Sequence, residues 1–292
     1  MANNRSLCCN DSLQLGEYLP GTAPRSDVWL LLENPAPWGA EALQESRLPE
    51  AVKAGLSGWL KAIPNARLQF IKQDGSGERR LFYVALARTG RLYRFELDAY
   101  ENLLALDIPA LVGGAADYES HRSDERLFLA CTNGKRDACC AVNGLPLYHK
   151  LRDAAGDAAW QSSHIGGHRF AGTFVCLPHG LYYGRVDDPA PIVAAYRKDE
   201  FYTVDCRGRC TIELAAQSAE IYLREQTGLT ALDALRLAGV QQNGQQWTAR
   251  FEAEGAAYVV QVCAEPALVL ENCADTERKQ VMKFHPAAYE AV

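Results

Sequence analysis

Five side chains that can ligate a metal lie within 38 residues, in a chain of 292 residues with ten cysteines and six histidines. Cys131 opens the stretch CTNGKRDACC, which closes on the adjacent pair Cys139 and Cys140. His164 and His168 follow in SSHIGGHRF. Thiolates and imidazoles bind structural zinc, and they also bind two-iron clusters in which two histidines replace two thiolates. Cys131, one of the paired cysteines and both histidines would complete a four-ligand set.

The elements around these residues should bring them together. Apolar runs predict strands over 126–132 and 158–165, with a helix over 140–156 between them. Cys131 would then end a strand, and the cysteine pair would begin the following helix. Loops between a strand and a helix are where α/β folds place function, so Cys131 and one of the pair could face each other there.

Charge and glycine content near the ligands favour the same interpretation. Lys135, Arg136 and the N-terminus of the helix would stabilise thiolates, which are the metal-binding form of cysteine. Gly166 and Gly167 stand between the two histidines and disfavour a helix there. We therefore expect a glycine loop that turns both imidazoles towards one point.

The remaining pattern predicts an α/β (α+β) protein of three units. Residues 1–120 would form an N-terminal α/β domain, for which a degenerate thioredoxin-like fold is one option. Residues 121–205 follow a β-α-β-β-β-α order that resembles a compact thioredoxin-like domain and would carry the metal site. Residues 206–292 would form a small extension.

The same patterns predict the remaining elements. Further strands are expected at 28–33, 66–73, 79–87, 91–97, 169–178 and 180–186, with a hairpin over 246–265. Helices are expected at 41–62 (broken near Pro49), 189–199, 211–228 and 231–239.

Composition excludes several classes of function. The net charge is −6 and no run of five basic residues occurs, so we expect no nucleic-acid partner. No apolar run approaches the roughly 18 residues of a membrane span, and the N-terminus lacks the apolar segment of a signal peptide. These features predict a cytoplasmic protein without membrane insertion. Because nucleophile-elbow, phosphate-loop and dinucleotide-binding motifs are absent from the sequence, an electron carrier is favoured over a complete enzyme.

The residues alone leave three interpretations of the site open. It could be a metal site, a thiol redox site that works through Cys139 and Cys140, or a group of ordinary buried cysteines and loop histidines. A vicinal cysteine pair makes a strained bridge, and the chain has no C-x-x-C motif, so the thiol–disulfide oxidoreductase ranks last. Zinc and a two-iron cluster would use the same four ligands.

The other cysteines carry weaker signals. Cys176 falls within an apolar strand and is expected in the core. Cys206 and Cys210 form a C-x3-C pair that could be a disulfide, half of a second metal site with Cys263 and Cys273, or neither; without a neighbouring histidine we favour neither. We expect Cys8 and Cys9 to lie in a flexible start with reactive exposure.

The chain resembles the sucrase/ferredoxin-like family, also called thioredoxin-like ferredoxins. The resemblance rests on CTNGKRDACC, on SSHIGGHRFAGTFVCLPHGLYYGR and on the earlier GTAPRSDVWLLLENPAPWG, and it covers roughly residues 8–200. The HxGGHRFAG block and its distance from the cysteine loop are its most specific parts. The word "sucrase" in the family name does not imply sugar hydrolysis.

The resemblance implies a soluble electron-transfer protein with a [2Fe–2S] cluster on a thioredoxin-like domain. Its ligands would be two cysteines nine positions apart, which selects Cys131 and Cys140 and leaves Cys139 as a bystander or a spare ligand. His164 and His168 match the histidine pair of the family. The protein would then exchange electrons with a redox protein donor and acceptor that the sequence does not name. A zinc-stabilised thioredoxin-like interaction module with the same ligands is the alternative.

Overall fold

The computed structural model describes residues 7–75 and 80–292. Helices and strands account for 29% and 33% of it, which confirms the predicted mixed α and β class. The helices are α1 (Cys8–Gln14), α2 (Glu50–Ala62), α3 (Ile108–Val112), α4 (Ala138–Ala155), α5 (Ala190–Arg197) and α6 (Leu214–Thr227). The strands are β1 (Val28–Glu33), β2 (Ala66–Lys72), β3 (Arg80–Leu86), β4 (Arg91–Leu97), β5 (Arg122–Ser123), β6 (Leu127–Cys131), β7 (Ala159–Ser162), β8 (Phe174–Leu177), β9 (Leu181–Tyr183), β10 (Cys206–Arg209), β11 (Arg236–Asn243), β12 (Gln246–Ala253), β13 (Ala256–Val269) and β14 (Lys279–Ala291).

Ten strands form one continuous sheet in the order β10-β9-β8-β6-β7-β2-β1-β3-β4-β5. Each half of this sheet follows the same plan. A strand, a helix and a second strand parallel to the first (β1-α2-β2 and β6-α4-β7) are followed by an antiparallel hairpin (β3-β4 and β8-β9) that adds to the first strand. The order β4-β3-β1-β2 thus repeats as β9-β8-β6-β7.

The two halves join where β2 pairs antiparallel with β7, through Ile71 opposite Ser162 and Lys72 opposite Gln161. Strands from residues 1–120 and from residues 121–205 therefore share a single sheet, and β10 from the third predicted unit extends it. All six residues of β1, VWLLLE, are buried, as is typical of a central strand covered on both faces. This buried centre fixes the positions of the strand ends that carry the site.

The last unit is a four-stranded antiparallel sheet, β11-β12-β13-β14, packed against α6. The predicted helix over 231–239 is wrong, because Arg236–Asn243 pairs along β12 as a strand. Its leucines have helical spacing, but Leu232 and Leu235 enter two different cores. Pairing with a neighbouring strand has overridden the short local pattern.

Two predictions near the N-terminus also fail. No helix forms over 41–49, and α2 begins at Glu50, with Pro49 at its N-cap in an extended conformation. A proline has no N–H to donate and fits only the first turn, so the helix starts there instead of continuing through it. Cys8 and Cys9 lie in α1 and are 0% and 4% exposed, which contradicts the expectation of a flexible, reactive start.

Candidate metal centre

Cys131 and Cys140 face each other across the strand-to-helix loop. Cys131 is the last residue of β6 and Cys140 lies in the first turn of α4, and their Sγ atoms are 3.3 Å apart. Both residues are 2% exposed. A Cβ on Gly144 would lie 1.9 Å from the backbone oxygen of Cys131, so only glycine allows α4 to pack this closely on the end of β6.

Asp137 sets the start of the site helix. Its side chain accepts a hydrogen bond from the Cys139 N–H at 2.9 Å, as an N-cap residue does, so α4 begins at Ala138, two residues before the predicted start. Cys139 and Cys140 therefore both belong to the first turn. Because successive residues of a helix point about 100° apart, the two side chains leave the helix in different directions.

His164 closes the site from the loop after β7. Its Nδ1 is 3.8 Å from Cys131 Sγ and 3.9 Å from Cys140 Sγ, and the three donor atoms all lie within 4.8 Å of one another. The ring of His168 is 4.9 Å from the ring of His164, centroid to centroid. The buried Nδ1 of His168 has no hydrogen-bond partner among the described residues, which leaves it free to act as a ligand. The structure thus brings all four predicted side chains into one region.

The glycines between the histidines are required by the loop. Gly166 and Gly167 have φ values of 98° and 77°, in the left-handed region that favours glycine. A Cβ on Gly167 would lie 2.2 Å from Nη2 of Arg207, and Nη1 of Arg207 donates a 3.0 Å hydrogen bond to the carbonyl of Gly166. The expected glycine loop is present, and a guanidinium group packs directly against it.

Arg207 is a functional candidate that the sequence analysis missed. It is 1% exposed and also donates hydrogen bonds to Thr22 and Thr173. Burial lowers its pKa to about 9, and no carboxylate lies within ion-pair distance of it in residues 7–75 and 80–292. A buried arginine without an acidic partner is costly, so its position under the histidine loop indicates a role in holding that loop. The only signal in the sequence is a charged residue between two cysteines in DCRGRC.

Protonation of the site favours ligation. The hydrogen bond with Cys140 and the contact with His164 hold the pKa of Cys131 well below its usual value, while that of Cys140 is raised. A bound metal would displace any proton left on the two thiols, because only thiolates ligate. Burial lowers the pKa of His168 and keeps its imidazole neutral near pH 7, the form that binds metals.

Two basic residues next to the ligand candidates have partners within the chain. Arg136 forms an ion pair with Glu41, and Nε of Arg169 lies 2.9 Å from Oε1 of Glu17, whose side chain is 1% exposed. Arg169 therefore anchors the segment after α1 to the histidine loop. Arg136 remains exposed beside a cleft of about 380 Å³ whose lining includes His164. His164 is half-buried and is the ligand candidate nearest to solvent.

The remaining cysteines separate into core residues and a second group. Cys176 is 0% exposed, which confirms its predicted place in the core. Cys206 and Cys210 enter different hydrophobic clusters, and the thiol of Cys210 donates to the backbone oxygen of Ser26 at 2.9 Å, so they do not form half of a metal site. Cys139 lies with Cys8 and Cys273 and away from the Cys131 group.

The donor set is of a kind that can hold a metal ion. The thiols of Cys131 and Cys140 and the imidazole of His164 meet at one edge of the sheet. His168 lies beside them, with a buried Nδ1 that has no hydrogen-bond partner among the described residues. In the described part of the chain, every helix is too short or too polar to cross a lipid bilayer.

A comparison with protein-family models matches residues 19–199 to the sucrase/ferredoxin-like family. The matched range contains the cysteine loop, the histidine loop and most of the ten-stranded sheet. Neither a curated protein nor a solved structure shows significant similarity to the chain.

Proposed function

Because the chain belongs to the sucrase/ferredoxin-like family, we propose that it is an electron-transfer protein carrying a [2Fe–2S] cluster held by Cys131, Cys140, His164 and His168. One observation carries the proposal. The thiols of Cys131 and Cys140 lie 3.3 Å apart and face the imidazole of His164, with His168 beside it. Two cysteines and two histidines are the ligands of two-iron clusters that have a raised potential, which supports the proposal.

The topology supports a thioredoxin-like assignment for the domain that carries the site. In β9-β8-β6-β7, two parallel strands joined by α4 are followed by an antiparallel hairpin, and the ligand candidates lie at the ends of β6 and β7. The half that contains β1 to β4 follows the same order, which supports the interpretation of residues 1–120 as a second unit of this kind.

The cluster would supply one-electron redox chemistry, and the chain's own residues would set its environment. The neutral imidazoles contribute less negative charge than thiolates would, which favours the reduced state. Burial of Cys131, Cys140 and His168 excludes water from three of the ligands, while His164 reaches the cleft. We propose that electrons enter and leave through His164, from a protein donor and to a protein acceptor that dock over the cleft beside Arg136.

A zinc ion on the same ligands is the second candidate. The donor atoms of Cys131, Cys140 and His164 lie within 4.8 Å of one another, which is compatible with a single ion. The thiol–disulfide alternative has less support, because Cys139 and Cys140 point into separate clusters.

Spectroscopy on protein purified without oxygen tests the proposal. We expect red-brown protein with about two iron atoms and two sulfides per chain. It should bleach on reduction by dithionite and then show the EPR signal of a reduced two-iron cluster. Colourless protein that carries zinc at these ligands would overturn the proposal and establish the alternative.

A further inference from the structure

A second group of thiols lies on the other side of Cys139. The Sγ atoms of Cys8, Cys139 and Cys273 form a triangle with sides of 3.4, 3.3 and 3.5 Å. Cys8 lies in α1, Cys139 in the first turn of α4, and Cys273 in the turn between β13 and β14. The triangle therefore joins the beginning, middle and end of the chain at one point.

A carboxylate completes the group. Oδ1 of Asp137 is 3.1 Å from Cys273 Sγ and 4.0 Å from Cys8 Sγ, and the four donor atoms all lie within 4.8 Å of one another. The Asp137 side chain is 2% exposed, and no lysine or arginine of the described residues lies within ion-pair distance of it. The backbone N–H groups of Cys139 and Cys273 hold this carboxylate in place, so an anionic oxygen donor faces the three thiols.

Backbone amides also point at the sulfurs. The N–H of Cys8 donates to Cys273 Sγ at 3.4 Å, and the N–H of Cys9 donates to Cys139 Sγ at 3.4 Å. Oδ2 of Asp137 accepts from the N–H of Cys273 at 2.8 Å. Hydrogen bonds of this kind orient the ligands of a metal and stabilise negative charge on sulfur.

We propose that Cys8, Cys139, Cys273 and Asp137 bind a structural zinc ion. Zn–S bonds of about 2.3 Å in a tetrahedron place the sulfurs about 3.8 Å apart, so each thiol needs to move outward by only a few tenths of an ångström. A disulfide would instead bring two sulfurs to about 2.05 Å and leave the third thiol unused. On binding, the thiol protons leave for solvent, three thiolates and a carboxylate ligate the ion, and no electron is transferred.

The donor set selects zinc over a second iron–sulfur cluster. Iron–sulfur clusters take thiolates and, in some, imidazoles as ligands, whereas zinc also accepts a carboxylate such as Asp137. Soft thiolates exclude magnesium and calcium. A closed set of four protein ligands is typical of structural zinc. The ion would tie α1 and the β13–β14 turn to the N-terminus of α4. The inference does not depend on the cofactor at Cys131 and Cys140.

Metal analysis of the whole protein is the direct test. Wild-type protein expressed with zinc should contain one zinc per chain that resists dialysis, in addition to any metal at the Cys131 site. Cys8→Ser and Cys273→Ser should each lose that zinc and keep whatever the Cys131 site holds. Cys263→Ser is the matched control, because this half-buried cysteine of β13 lies outside the four-residue group. It should retain the zinc in full.

Cobalt(II) added to metal-free wild-type protein provides a readout that does not require a folded variant. We expect the near-ultraviolet absorption of thiolate-to-cobalt charge transfer with the visible bands of tetrahedral cobalt, and titration with zinc should abolish both. Cys140→Ser should keep this signal, since it alters the other site. The proposal would be overturned if the wild-type protein bound neither zinc nor cobalt. A disulfide between any two of Cys8, Cys139 and Cys273 would also overturn it. Loss of zinc from Cys263→Ser together with the other variants would also overturn it.

Discussion

Cys139 and Cys140 are adjacent in the first turn of α4, yet their thiols belong to different groups. Cys140 Sγ lies 3.3 Å from Cys131 Sγ, whereas Cys139 Sγ lies 3.4 Å from Cys8 Sγ and 3.3 Å from Cys273 Sγ. The turn of the helix between consecutive residues produces this division. Asp137, the N-cap of the same helix, contacts both groups, with Oδ2 3.8 Å from His168 Nε2.

Replacing each of these two cysteines by serine should therefore remove a different metal. We expect Cys140→Ser to lose the iron and the colour of the protein, because it removes a ligand of the Cys131 group. Cys139→Ser should keep the iron and lose the zinc. Iron and zinc content, measured on the same samples, check both outcomes. If the Cys139→Ser protein were colourless and the Cys140→Ser protein stayed coloured, the ligand assignment would be reversed.

Histidine ligation should make the reduction potential depend on pH. The outer ring nitrogen of a ligating histidine loses its proton more easily when the iron is oxidised, so the potential should fall as pH rises. The slope would approach about 59 mV per pH unit where one proton leaves per electron. Potentiometric titrations between pH 6 and 10 measure it. A flat potential over this range would contradict exposed histidine ligation.

Replacement of a ligating histidine by cysteine tests the same point independently. His164→Cys adds a negative charge to the ligand set, so the protein should stay coloured with a lower potential. His149→Cys, at an exposed position on α4, is the matched control and should leave the potential unchanged. An unchanged potential in His164→Cys would remove His164 from the ligand set.

Gly144→Ala should disrupt the site by pushing α4 away from β6. The added Cβ would lie 1.9 Å from the Cys131 backbone oxygen, so the helix must shift. We expect a loss of about 1–3 kcal/mol in the free energy of unfolding, together with weaker metal retention. Gly58→Ala in α2 is the control, because no atom lies within 4 Å of its added Cβ. That variant should gain up to about 1 kcal/mol, and denaturant unfolding measures both.

His179 should make the protein less stable as pH falls. Burial and the nearby Arg126 lower its pKa to about 4, against about 6.5 in the unfolded chain. The unfolded state then binds the proton more tightly, so a stability contribution present above pH 6.5 is lost between pH 6.5 and 4. At most about 3 kcal/mol depends on this group.

Urea unfolding at several pH values tests this expectation. His179→Gln should lose less stability than the wild type between pH 7 and 4.5, because its side chain does not titrate. His149→Gln, with its exposed side chain, should follow the wild type. If the free energy of unfolding fell with pH as steeply in His179→Gln as in the wild type, another group would control the loss of stability in acid.

The sequence by itself determined most of the local elements and which side chains could meet at the first site. Strong apolar runs such as 28–33 and 126–132 formed strands, because their residues can be buried only in a sheet covered on both faces. The cysteine loop and the glycine-linked histidines lie close in sequence and join consecutive elements. Their meeting could therefore be predicted from local order alone, with Cys140 chosen by the nine-residue spacing of the family.

Only the tertiary structure decided what depends on distant segments. The role of Cys139 required Cys8 and Cys273, which are 131 and 134 residues away from it along the chain. Arg207 reaches the histidine loop only because β10 pairs with β9. The segment at 231–239 has helical spacing but pairs as a strand. Contacts between remote parts of a chain leave no periodic signal in its sequence, because they arise from the packing of whole elements and not from the preferences of neighbouring residues.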